Sequence, residues 1–407
     1  MPLPSLRLLD RRRASSYLRP LLSVVPALLL GATLAACGGG GSSSDDLDLI
    51  SATNVIGQAD YVSGSANRAT SVSALGLAQP LGGIATDGTN FFIADYGNHR
   101  VLGYASVPGP TTPALFVLGQ DSFTANLPGT GPTRLALPAS VSLVDGRLIV
   151  ADAGNNRVLI WNSLPVGNVA PDVVIGQLDL NSDDPGTAAD KLSFPVAATI
   201  ANNRLIVSDQ DNNRVLIWNT VPTANGTPAD VVLGQTDFTG SGARDEEDGL
   251  TTPAGIWSDG FRLLVADSGN NRVMLWTQLP RTSGADASFV IGQSDFSRIT
   301  AGVGQGALRT PSGVASDGTR IWIADSGNNR VLEFDAFPIA SAALATDIYG
   351  QDRDHFTNRT PNDDNQDAVT DSTPSVRTLS SPTGVSVFAN TLYVVDRNNH
   401  RVLAFPG

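Results

Sequence analysis

Six copies of one phrase, Asp-x-x-Asn-(Asn/His)-Arg-Val-(Leu/Met), run through this chain, beginning at Asp95, Asp152, Asp209, Asp267, Asp325 and Asp396. A second phrase, Gly-Gln, keeps step with it at Gly57-Gln58, Gly119-Gln120, Gly176-Gln177, Gly234-Gln235, Gly292-Gln293 and Gly350-Gln351. Central copies of the first phrase lie 57 or 58 residues apart. A period of that length marks a repeat architecture, in which units too small to bury their own apolar faces stack on their neighbours.

Within one unit, residues 253–256, 263–267, 272–276 and 289–292 read as four short strands. Asp259-Gly260 and Ser268-Gly269-Asn270-Asn271 supply turn signals between them. The apolar runs do not alternate with polar residues, so both faces of each sheet must be covered. Repeated four-stranded antiparallel sheets arranged radially make an all-β, six-bladed β-propeller. The chain enters on a fourth-strand motif at 54–57 and leaves on a third-strand motif at 401–405. The N-terminal strand is therefore expected to complete the last blade and remove an open edge. In the turn, the position two after Asp holds Gly97, Gly154, Gly269 and Gly327, with Asp211 and Asn398 in the other copies. These residue types predict a left-handed backbone there. The Asp carboxylate is expected to accept turn N–H groups and to face the Arg five residues on, Arg100, Arg157, Arg214, Arg272, Arg330 or Arg401. The position nine after Asp is always aromatic, as expected of core between blades.

Gly-Asn-His-Arg-Val at 97–101 and Gly-Asn-Asn-Arg-Val at 154–158, 269–273 and 327–331 resemble the NHL repeat, as do the preceding Pro-x-Gly and Asp-Gly pieces. The resemblance covers about 54–407 and implies a propeller, commonly of six blades. The repeats are longer than the usual NHL unit, which implies extended loops between blades. Peptide-amidating lyases share such a propeller and use several His ligands around a metal. The expected innermost strands here, 80–85, 138–143, 195–200, 253–258, 311–316 and 382–387, carry small and aliphatic residues instead, with Trp257 the one bulky exception.

The N-terminus reads as an export signal. Arg7, Arg11, Arg12, Arg13 and Arg19 precede a short apolar run from Leu21 to Ala35. Leu34-Ala35-Ala36-Cys37 resembles a bacterial lipobox, which implies lipid attachment at Cys37, the one cysteine of the chain. The expected organisation is a signal peptide over 1–36, a flexible Gly/Ser tether over 37–52 and the propeller over 53–407. This places the protein at the bacterial cell envelope. Gly38 after Cys37 favours the outer over the inner membrane. A net charge of -13 repels phosphate backbones and disfavours nucleic-acid partners.

Three histidines are present. His99 and His400 share one repeat position in the first and last blades, which closure makes neighbours; since Asn stands there in the other copies, a structural role is the expected one and a metal or acid/base pair the weaker alternative. Asp363, Asn365 and Asp367 alternate as oxygen ligands do, but Ala368 and Pro374 stand where an EF-hand needs Gly and Glu. No cofactor is expected, with calcium or another divalent metal as the weaker alternative. The leading reading is a non-enzymatic binding or scaffold module with a protein, peptide or glycan partner. The alternative is an exported lactonase- or lyase-like enzyme with a loop-built metal site. From Gly350 to Asp396 the last repeat spans 46 positions, against 33 in the four repeats before it. That insertion carries Asp352, Asp354, His355, Asp363, Asp364, Asp367 and Asp371, the candidate partner-binding loop. Asp245, Glu246, Glu247 and Asp248 in another link add to the same acidic face.

Overall fold

The computed structural model describes residues 47–82, 84–354 and 356–407. Twenty-four strands form six four-stranded antiparallel sheets. The first complete blade is β2–β5, at Ile84–Thr86, Phe91–Asp95, Arg100–Tyr104 and Phe116–Leu118. The second is β6–β9, at Pro138–Val144, Arg147–Asp152, Arg157–Trp161 and Val173–Ile175. The third is β10–β13, at Pro195–Ala201, Arg204–Asp209, Arg214–Trp218 and Val231–Leu233. The fourth is β14–β17, at Pro253–Ser258, Leu263–Asp267, Arg272–Trp276 and Phe289–Ile291. The fifth is β18–β21, at Pro311–Ser316, Ile321–Asp325, Arg330–Phe334 and Asp347–Tyr349. The sixth takes its strands from both ends of the chain. β22 (Pro382–Phe388), β23 (Thr391–Asp396) and β24 (Arg401–Pro406) are completed by β1 (Asn54–Ile56), which pairs antiparallel with β24 from Asn54↔Ala404 to Ile56↔Val402. The closure read from the order of motifs is thus the one observed.

No single core exists; apolar residues fill the spaces between neighbouring sheets. Phe92, Val101 and Leu118 of the first blade meet Val141, Leu148, Val150 and Trp161 of the second. Phe91 and Ile93 meet Tyr393 and Val395 of the sixth on the other side. This is why the strands show no polar alternation: each sheet is buried on both faces. The aromatics nine after Asp, Tyr104, Trp161, Trp218, Trp276, Phe334 and Phe405, are all buried in these layers. At two points neighbouring innermost strands approach so closely that only glycine fits. A Cβ on Gly255 would stand 2.7 Å from the Ser312 carbonyl oxygen, and one on Gly313 2.8 Å from that of Thr383.

The outer edges are covered as well. The loop after the third strand of one blade reaches back over the fourth strand of the blade before it. Asn225 accepts the Val174 N–H at 3.0 Å, and Ser283 accepts that of Val232 at 3.1 Å. Unpaired edge groups that would otherwise template strand addition are thereby satisfied. Residues 47–52, read from the sequence as part of the tether, lie on the body. Ala52 is buried, its N–H bonds the Val376 carbonyl at 2.9 Å, and Asp48 pairs with Arg353 at 3.4 Å.

Candidate functional site

The repeated phrase builds a frame that holds the inter-blade links. Each Asp–Arg pair is fully buried, with Arg Nε donating to Asp Oδ2 at 2.7–2.8 Å. The same oxygen accepts the Asn side chain three residues on, as from Asn270 to Asp267 at 2.8 Å. The other oxygen accepts a backbone N–H from the link that enters the blade, Thr251 to Asp267 at 2.6 Å. The sequence reading had this carboxylate accept N–H groups of its own turn; the long-range link takes that place. The Arg Nη atoms then tie two links together. Arg272 donates to the Asp245, Glu246 and Gly249 carbonyls of the link before its blade and to the Phe296 carbonyl of the link after it. Gly-Gln belongs to the same frame: Gln235 joins the Asn213 carbonyl in the turn to the Gly242 carbonyl in the link, at 2.9 and 2.7 Å. The Gly before it needs a φ near +90°, and a Cβ there would strike the link leucine, as Gly234 against Leu250 at 2.8 Å.

The left-handed residue of the turn is the fourth after Asp, not the second. His99, Asn156, Asn213, Asn271, Asn329 and His400 all have φ between 51° and 54°. Gly at the second position answers a different demand. Its N–H bonds a link carbonyl, Gly97 to Ala78 at 2.9 Å, and a Cβ would sit 2.6 Å from that oxygen. Where Asp211 and Asn398 replace Gly the bond lengthens to 3.2 Å. The side chain of each left-handed residue accepts an N–H at the entrance of the next blade. Asn213 Oδ1 takes that of Thr252 at 2.7 Å, and Asn329 Oδ1 that of Ser381 at 2.7 Å. His99 Nδ1 takes that of Leu137 at 3.0 Å, and His400 Nδ1 that of Gln79 at 2.8 Å.

An imidazole that accepts at Nδ1 must be neutral, with its proton on Nε2. Burial pulls both histidines below their ordinary pKa, against the opposing pull of Asp95 on each and of Asp396 on His400; Arg397 adds to the lowering at His400. The unfolded chain therefore protonates first, so these two latches contribute stability above about pH 6.5 and lose it as the pH falls. Burial pushes Asp209 and Asp267 up to about 6, against the pull of Arg214 and Arg272. Those groups titrate with the opposite sign. Replacing both histidines by Asn, the residue used in the other blades, is expected to flatten the acid loss of melting temperature relative to the parent. Since the aspartates are common to both proteins, parallel curves would refute the imidazole latch.

The axis holds a channel of about 560 Å³ lined by the innermost strands. Several of its hydroxyls stitch neighbouring blades, such as Ser142 to the Ala198 carbonyl at 2.8 Å and Ser312 to that of Thr383 at 2.9 Å. The residue directly after each repeat Asp lies on the turn face. Tyr96, Gln210, Ser268, Ser326 and Arg397 from that position line the channel. The sequence reading passed over these residues. Their signal was variation at one position of an otherwise constant turn. Among the described residues, no group of three or more His, Cys, Asp or Glu is placed to hold a metal ion.

The acidic link is organised largely by its own carboxylates. Asp363 is buried and accepts from Asn358, from the Asp367 N–H at 3.1 Å and from the Ala368 N–H at 2.9 Å. Asp364 pairs with Arg377 at 2.9 Å and accepts from Ser375, and its pKa is lowered. Asp371 accepts the Asp364 N–H at 2.8 Å. Asp352 is buried and accepts the Asp354 N–H. Asp354 and Asp367 remain exposed, as do Asp245, Glu246 and Glu247 in the other link. His355 and Cys37 lie outside the described residues.

The fold is a six-bladed β-propeller, and NHL repeats are recognised in two of its blades. The NHL repeat is matched at residues 308–334 and 379–405, the Asp–Arg units of the fifth and sixth blades. No curated protein matches the chain in sequence. Among solved structures it is similar to Kuenenia stuttgartiensis hydrazine synthase, at 12% identity and a TM-score of 0.45, covering 84% of this chain and 98% of that one. It is similar to the WD40 β-propeller domain of Doa1 at 11% identity and 0.45, covering 88% and 93%. Virginiamycin B lyase from Staphylococcus aureus matches at 13% and 0.41, covering 80% and 95%.

Proposed function

We propose that this propeller is a non-enzymatic binding module, held at the bacterial cell envelope through lipidated Cys37, that presents its link face to a protein, peptide or glycan. The observation that carries the reading is the frame: six buried Asp–Arg pairs clamp the ends of the long links. Such a frame uses the repeated polar residues for rigidity and leaves the exposed spans of the links free to vary. A rigid scaffold with variable loops suits recognition. The longest link offers an exposed tip at Asp367-Ala368-Val369-Thr370, with Val369 63% exposed. The acidic side chains around it suit a cationic partner.

Replacing residues 367–370 with glycine and serine keeps Asp363 and its backbone partners. The variant is expected to melt with the parent and to capture less partner from envelope extracts. In the same cells, Cys37→Ser is expected to move the protein out of the membrane fraction. Undiminished capture by the folded tip variant places recognition elsewhere, and unchanged fractionation of Cys37→Ser removes the anchor.

A further inference from the structure

We propose that the turn-face mouth of the central channel binds a small organic monocarboxylate, with Arg397 as its counter-ion. Among the described residues lining the channel, Arg397 alone is charged, in a chain of net charge -13. It follows Asp396, which is already committed to Arg401 at 2.7 Å. The Arg397 guanidinium lies 5.9 Å from the Tyr96 ring centroid, and its Nε is buried without a hydrogen-bond partner. A second unmet group comes from a different blade. Ser140 is 6% exposed and lines the channel, and its Oγ has no partner while the Oγ atoms of Ser142, Ser268, Ser312 and Ser326 all do. Both residues line the one cavity from different blades, so polar groups reach it from two sides of the ring.

The class of anion follows from the walls. One guanidinium matches one carboxylate in a forked pair, whereas a phosphate dianion calls for more positive charge. The same end of the channel is apolar: Leu81, Phe194, Val196 and Ala254 pack with Tyr96 in one cluster. A cavity of about 560 Å³ with a few polar groups is of the size that takes small organic ligands. A carboxylate carrying an aromatic or aliphatic body satisfies the donors and the walls together.

The test is calorimetric titration of the purified protein with phenylacetate, phenylacetamide and inorganic phosphate. Phenylacetate is expected to bind at least about tenfold more tightly than its amide, the difference a charge-assisted pair supplies. Arg397→Gln is expected to lose at least about tenfold in phenylacetate affinity with an unchanged melting temperature, and Arg397→Lys to lose less. If Arg397→Gln does not fold, Ser140→Val is read in its place and is expected to weaken phenylacetate alone. Equal binding of acid and amide, no binding of the acid, tighter binding of phosphate, or an unaltered isotherm in the folded variants overturns the proposal. The site is independent of the link tip, so the 367–370 variant is expected to bind phenylacetate as the parent does.

Discussion

A chain that begins at residue 59 is expected to lose cooperative folding, while one that begins at residue 47 keeps it. The difference is β1 and the residues beside it. Val55 is fully buried and Ile56 is 2% exposed, and each such side chain contributes about 1.5–3 kcal/mol. Gln58 bonds the carbonyls of Ser65, Asn399 and His400, so its loss also releases the turn of the sixth blade. Together these losses reach the order of the whole stability of a typical domain, about 5–15 kcal/mol. They also fall where a ring is weakest. Without β1, β24 becomes an open edge, and the layer between the first and sixth blades loses Ile56 from its centre. Circular dichroism melts of the two chains measure the effect. A peptide of residues 49–58 added in trans is expected to restore part of the transition by strand addition. An unchanged melting temperature in the shorter chain would show that closure does not hold the ring.

The legible part of this fold is the part written in local spacing. Strand order, blade number and closure follow from the phase of two short phrases, because five blades are each one run of the chain, the sixth is completed by β1, and the turns are made by neighbours in sequence. What the phrases do chemically was less legible. The carboxylate of Asp267 takes an N–H from Thr251, 16 residues upstream, and no local rule points there. For the same reason Gly97 looked like a left-handed residue when its constraint is the Ala78 carbonyl packed against it, and the left-handed residue is His99. The candidate site was least legible. Acidic composition flagged the last link, yet Asp363 faces inward and serves the loop itself. Arg397 and Ser140 gained meaning only when the ring brought the sixth and second blades to one channel.

Arg272→Met is expected to cost about 3–5 kcal/mol in urea unfolding, the usual result of removing one partner from a buried pair. Desolvation already raises Asp267 to about 6 with its arginine present. Without Arg272 the carboxyl sits in the same burial with no cation, and four link carbonyls lose their donor. The sign of the pH dependence distinguishes this from a simple packing loss. A buried carboxyl whose folded pKa lies above its unfolded value contributes most below the unfolded value, and that contribution fades as the pH rises through the folded one. Removing the cation raises the folded pKa further, so the deficit of Arg272→Met is expected to be larger at about pH 7 than at about pH 5. Adding Asp267→Asn removes the buried charge, and the double variant is expected to cost less than the sum of the two single changes. A loss below about 1 kcal/mol, or a deficit that does not change with pH, would mean that the pair spans the links without holding them.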